Sequence, residues 1–136
     1  MNTTGKNYQA TSVGDIQVKG RVTLHNELAL TGSEVSINEL PPGVSVPFVH
    51  SHKRNEEVYI VVKGKGRFQV DGDEFEVTEG SVIRVDPAGQ RCITADSRTP
   101  IRYVCIQTEA KSLVQFTESD GVILETKPTW LQKAAA

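Results

Sequence analysis

The chain is poor in the residues that would commit it to several common classes. It has two cysteines, one methionine, one tryptophan and three histidines among 136 residues. Cys92 and Cys105 are too few for the framework of a disulfide-stapled secreted domain. Reduced thiols in a cytoplasmic protein are the expectation, with a Cys92–Cys105 bridge across a hairpin as the alternative. Basic excess is also missing: 15 Lys and Arg face 17 Asp and Glu, for a net charge of −2. Nothing here neutralises a phosphate backbone, so no nucleic-acid partner is expected. No apolar run approaches the roughly 18 residues of a membrane span. The opening MNTTGKNYQATSVGD has no apolar stretch of the kind a secretory leader needs and reads as a polar lead-in over 1–15. No serine sits in a nucleophile-elbow context, and no glycine-rich loop joins a strand to a helix as a phosphate cradle would.

What is present is a regular succession of short runs rich in Val, Ile, Phe and Tyr, punctuated by Gly, Pro and Asp-Gly. Strands are predicted at 17–19, 21–25, 34–40, 45–50, 58–63, 67–70, 74–77, 82–85, 91–94 and 101–107. Short strands at such spacing argue for an all-β sandwich or barrel. FQVDGDEFEV is the clearest hairpin, because Asp71-Gly72 supplies the positive backbone dihedrals of a two-residue turn. Gly64 and Gly66 are expected to mark a tight bend. The barrel is placed over 16–110, with 111–136 an extension packing on it. Within that extension, 122–124 offers an additional edge strand, 128–133 a helical turn around Trp130, and Ala134-Ala135-Ala136 a frayed end.

The run PFVHSHKRNEEVYIVVKG carries the chemistry. Successive side chains of a strand alternate faces, so His50 and His52 share one. After the polar turn at 53–55, Glu56-Glu57 opens an apolar strand that can return a carboxylate toward the histidines. Two imidazoles and one carboxylate leave positions open on an ion such as Fe, Mn, Ni or Zn. The same residues could be solvated polar groups beside a charged loop. The apolar Val46, Phe48 and Val49 before them, and two of only three histidines at i and i+2, argue for ligands. His25 stands alone on a predicted strand and reads as structural. Strand parity from Glu57 puts Tyr59 and Val61 inside. Either face of IRYVCIQ could line a cavity. Arg84 would bind a small acid if inward and is a surface charge if outward, the latter being commoner.

This segment resembles the first motif of the cupin superfamily: Gly, a short strand, His-x-His, three or four residues, Glu, six residues, Gly. Here it runs Gly43, six residues, His50-x-His52, four residues, Glu57, six residues, Gly64. The spacing to Gly64 selects Glu57 over Glu56. The second cupin motif is Gly, five residues, Pro-x-Gly, two residues, His, three residues, Asn. Here six residues separate Gly80 from Pro87-Ala88-Gly89, and Asp96 stands at the Asn position. Counted from Gly80 the His position holds Arg91; counted from Pro87 it holds Cys92. The Pro-x-Gly turn immediately precedes the ligand and favours Cys92, with a bulge near Asp86 absorbing the extra residue. Cys92 would be a thiolate ligand or, equally, a small apolar wall residue.

The resemblance spans roughly 35–107. It implies a double-stranded β-helix (jelly-roll) barrel, one divalent metal ion, a small-molecule ligand or substrate and a homodimer. The implied chemistry is of dioxygenase, isomerase or decarboxylase type, with Glu56 or Tyr59 as proton carriers. The alternative is a non-catalytic cupin that binds or senses a sugar or organic acid. Outward Val58, Ile60 and Val62 form an apolar strip that a second sheet or a partner subunit would cover.

Overall fold

The computed structural model describes residues 2–132. Nine strands run β1 (Asn2–Thr4), β2 (Gln9–Thr11), β3 (Arg21–Thr23), β4 (Glu34–Leu40), β5 (Asn55–Val70), β6 (Asp73–Thr78), β7 (Val82–Val85), β8 (Arg91–Ala95) and β9 (Ile101–Glu109). Four single-turn helices join them: α1 (Ile16–Lys19), α2 (His25–Leu28), α3 (Thr117–Asp120) and α4 (Thr129–Gln132). β1 and β2 form a separate exposed hairpin, and the other seven strands make the antiparallel jelly-roll.

The long strand β5 organises the barrel. Its first part pairs with β9 and β7, and its second part, from Lys65, pairs with β6 and β8. One strand therefore belongs to two walls, and β4 and β3 extend the first wall beyond β9. Gly64 and Gly66, expected to end a strand at a bend, lie inside β5 instead. A β-carbon on Gly64 would collide with the carbonyl oxygen of Pro100, and one on Gly66 with that of Thr94. The glycines let neighbouring backbone close in where the strand passes between walls. A register shift between Val61 and Lys63 adds to the turning.

Alternation along the strands fills the interior. Tyr59, Val61, Phe68, Val77, Val85, Ile93, Ala95, Ile101, Tyr103 and Cys105 form one buried cluster. This answers the open question about β9: Ile101, Tyr103 and Cys105 face in. Arg84 faces out and pairs with Asp86 at 3.3 Å.

Several local expectations are corrected. Residues 17–19 are helical in α1, because Asp15 caps it by accepting from the Gln17 amide at 2.9 Å and Gly20 closes it. His25 starts α2 rather than ending a strand. Residues 45–50 form no continuous strand, since Pro47 interrupts the ladder; two isolated bridges, Ser45 with Thr94 and His50 with Arg91, fasten the segment to β8. Both cysteines are free. The extension beyond 110 is exposed at every described position through Leu131, and Val122–Leu124 adds no strand. Its expected helical turn forms as α4, whereas Lys133 and the terminal alanines lie outside the described residues.

Candidate metal centre

The site lies inside the first wall, where the segment after Pro47 crosses β8. His50 exchanges both backbone hydrogen bonds with Arg91, at 3.1 and 2.9 Å, and the His52 amide donates to the Pro87 carbonyl at 2.8 Å. These bonds hold both imidazoles over the same opening, with ring centroids 5.1 Å apart. Glu57 comes from β5, third in the strand and buried. One ligand atom from each of His50, His52 and Glu57 lies within 4.8 Å of the others, a grouping among the described residues that includes neither cysteine.

The carboxylate of Glu57 is the hub. Its Oε1 accepts from the Tyr59 hydroxyl at 2.6 Å and from Arg91 Nη1 at 2.9 Å. Its Oε2 faces His52 Nε2 at 3.2 Å and accepts weakly from Cys105 Sγ at 3.4 Å. Burial pushes the Glu57 pKa up. The donors Tyr59 and Cys105 and the charges of His52 and Arg91 outweigh that and leave it below the ordinary value. Burial also lowers the His50 pKa, against the attraction of Glu57. Tyr59 is driven well above the usual phenol range by burial and by its anionic neighbours, and Cys105 is pushed up to about 12 by burial and then by Glu57.

A single divalent ion fits this donor set. His52 Nε2 is buried and, apart from the Glu57 carboxylate it faces, has no hydrogen-bond partner among the described residues. A buried ring nitrogen without a partner is costly unless a ligand meets it. Above the triad opens a cavity of about 190 Å³ with one apolar flank, Val46, Phe48 and Ile93, and one polar flank, Arg21, Ser36, Asn38 and Gln107.

Two predicted members are not brought in. Glu56 is absent from the cavity lining, because it precedes Glu57 by one residue on β5 and faces the other way. Cys92 is among the residues that line the cavity, but its thiol donates to the Val46 carbonyl at 3.3 Å and it is not part of the three-residue cluster. The physical reason is parity: Arg91, Ile93 and Ala95 are the buried positions of β8, and Cys92 alternates with them. The residue missed is Arg91, fully buried and bound to Glu57. The count from Gly80 already points to it, and the inward parity of position 91 beside His50 decides for that count over the one from Pro87. Cys105, Asn38 and Gln107 carried no motif signal and enter only through the folded register.

Residues 36–107 match the profile of the cupin domain. The chain is 51% identical to a cupin protein of Bacteroides fragilis of known crystal structure, covering 88% of this chain and 99% of that one with a TM-score of 0.84. An uncharacterised protein of Methanocaldococcus jannaschii is 26% identical over 77% of this chain and 80% of its own. A Thermotoga maritima structure described as a predicted oxalate decarboxylase is 25% identical over 55% of this chain and 64% of that one, with a TM-score of 0.52. With a jelly-roll built around a His-His-Glu cluster and a profile match over more than half its length, the chain belongs to the cupin family.

Proposed function

We propose that this cupin holds one divalent metal ion on His50, His52 and Glu57 and uses it to bind and transform a small polar molecule in the cavity above. The carrying observation is the convergence of one ligand atom from each of His50, His52 and Glu57, with His50 Nε2 3.5 Å from Glu57 Oε1 and His52 Nε2 3.2 Å from Oε2. Fe, Mn, Ni and Zn all suit the donor set. When bound, such an ion supplies a Lewis acid for a carbonyl or carboxylate oxygen, or a centre that activates dioxygen. The chain's own residues do the rest. Tyr59 and Arg91 fix the Glu57 carboxylate, and Phe48 packs edge-on against His50 at 5.7 Å. Arg21, Asn38 and Gln107 offer polar contacts to a small acid or hydroxylated substrate. The relative described as a predicted oxalate decarboxylase supports small carboxylates as the first class to test.

A second reading, a binding or sensing module without turnover, is favoured by the shortage of proton carriers. Tyr59 already donates its proton to Glu57, Cys105 holds its own to about 12, and Glu56 faces away. Metal analysis of protein purified without added metal is expected to give near-unit occupancy. Chelation should lower the melting temperature on the order of 10 °C, the equivalent of about 2.7 kcal/mol for an ion present at a hundred times its Kd. No metal and unchanged melting would sink the reading. Oxygen uptake and carbon dioxide release from small mono- and dicarboxylates, after loading with Fe(II) or Mn(II), separate turnover from binding alone.

We also propose that the protein pairs with a second copy through the outer face of the first wall. Val22, Ile37, Val104, Ile60 and Val82 lie in one row across β3, β4, β9, β5 and β7 by their pairing register.

A further inference from the structure

Position 91 lies beside the three candidate ligands, bridged to His50 and bound to Glu57. It pairs with His50 across an antiparallel bridge, so the two side chains leave the backbone on the same face. A side chain with a donor atom there could reach the ion from β8. The residue present is arginine, a permanent cation with no acceptor atom, and it cannot ligate. Its contacts show what it does instead. Nη1 holds Glu57 Oε1 at 2.9 Å, and Nη2 donates to the carbonyls of Asp86 at 2.6 Å and Pro87 at 3.3 Å. Asp86 and Pro87 belong to the turn that also seats the His52 amide, so one guanidinium ties together the structures that position both Glu57 and His52.

Resting on the metal reading above, we propose that Arg91 is a positioning residue that restricts this centre to three protein ligands. With Tyr59 it holds Oε1, which also lies 3.5 Å from His50 Nε2, and leaves Oε2, 3.2 Å from His52 Nε2, free of both these strong donors. Its charge offsets that of Glu57, leaving an ion that keeps most of its positive charge and has open positions toward the cavity. That combination selects small anionic ligands over neutral ones. A buried salt bridge serving only stability would give Glu57 the same partner and would have no bearing on the ion's open positions.

Cobalt(II) titration followed by visible absorption tests this, with azide as the small anion. Wild-type protein is expected to bind one Co(II), and azide is expected to change its visible spectrum. Arg91→His removes a like charge and adds a donor, and both changes act in the same direction. The variant should bind Co(II) about tenfold or more tightly, and it should need about tenfold more azide for the same spectral change. Arg91→Lys keeps the charge and adds no ligand, so its Co(II) affinity should not exceed that of wild type. The inference is overturned if a folded Arg91→His variant binds Co(II) no more tightly than wild type, or if Arg91→Lys tightens binding as much as Arg91→His. A wild-type Co(II) spectrum insensitive to azide would overturn it as well, whether or not Arg91→His folds, because no position would then be open. Failure of wild-type protein to take up Co(II) at all would overturn the metal reading itself, a different result from Co(II) uptake that Arg91 does not influence.

Discussion

Glu57 concentrates the electrostatics of the molecule in one carboxylate. It touches Tyr59, Arg91, Cys105 and both histidines within 3.5 Å. Glu57→Gln keeps the shape and removes the charge, leaving the Arg91 guanidinium buried without a counter-ion. Breaking a buried pair from one side costs about 3–5 kcal/mol. The variant is therefore expected to lose metal and to unfold at markedly lower urea than the metal-free wild type. The same residues set the acid response of the metal-free protein. His50 has a folded pKa below its ordinary 6.5, so the unfolded chain takes up that proton first. Stability is whole above pH 6.5 and erodes as pH falls through that value. Glu57, also depressed, adds a second loss below about its ordinary 4.5. Melting temperatures recorded without metal should fall between pH 7.5 and 5.5, and a His50→Gln variant should flatten that interval. Of this centre, the histidines and Glu57 were legible in sequence because their spacing obeys strand parity. Arg91 was obscured by the extra residue after Gly80, which made the Pro-x-Gly turn point one residue too far, to Cys92.

At the scale of elements, the hairpins were legible where turn chemistry is local. Asp71 and Gly72 adopt the positive φ values, 51° and 87°, that their side chains suggest. Gly64 does take a positive φ, 80°, but it and Gly66 misled because a glycine that permits close backbone approach inside a strand reads in sequence like one that ends it at a turn. Only the pairing of β5 with distant β8 and β9 tells them apart, and that is long-range information. The two roles differ in what a methyl group would meet. At Gly72 it would meet nothing within 4 Å and would suffer only the left-handed backbone, a penalty of about 1–2 kcal/mol. At Gly66 it would collide with the Thr94 carbonyl, forcing apart two strands of the ladder. Gly66→Ala is therefore expected to destabilise clearly more than Gly72→Ala, as read from urea midpoints at equal m-values. Equal midpoints would contradict the assigned role of β5 as a strand shared between walls. The misread 17–19 segment teaches the same lesson in reverse, since Val18 two residues after Ile16 suggested a strand and a purely local Asp15 cap made it a helical turn.

At the scale of the whole molecule, the unusual feature is apolarity on both faces of one wall. An antiparallel sheet with one solvated face ordinarily shows polar residues there. Here a second row, Val35, Ile106, Val58 and Arg84, runs beside the row from Val22 to Val82, and Arg84 is its one charge. Val82 sits at the end of its row on β7, 63% exposed, and among the described residues β7 pairs with β5 alone. The described part of the extension after 110 leaves Leu113, Val114, Phe116 and Ile123 open to solvent and packs none of them onto this face. A second copy packing the same two rows together would bury them symmetrically, since a two-fold axis brings identical patches face to face. Val82→Asp places a charge at the rim of that patch without touching the core, so it should leave urea stability of the isolated chain within about 0.5 kcal/mol. Light scattering behind size exclusion is expected to give a dimer for wild type and a monomer, or a dimer of much lower affinity, for Val82→Asp. A wild-type monomer at tens of micromolar would refute pairing through this face. A dimer indifferent to Val82→Asp would move the interface elsewhere, with the apolar extension the next surface to test by removing residues 111–136.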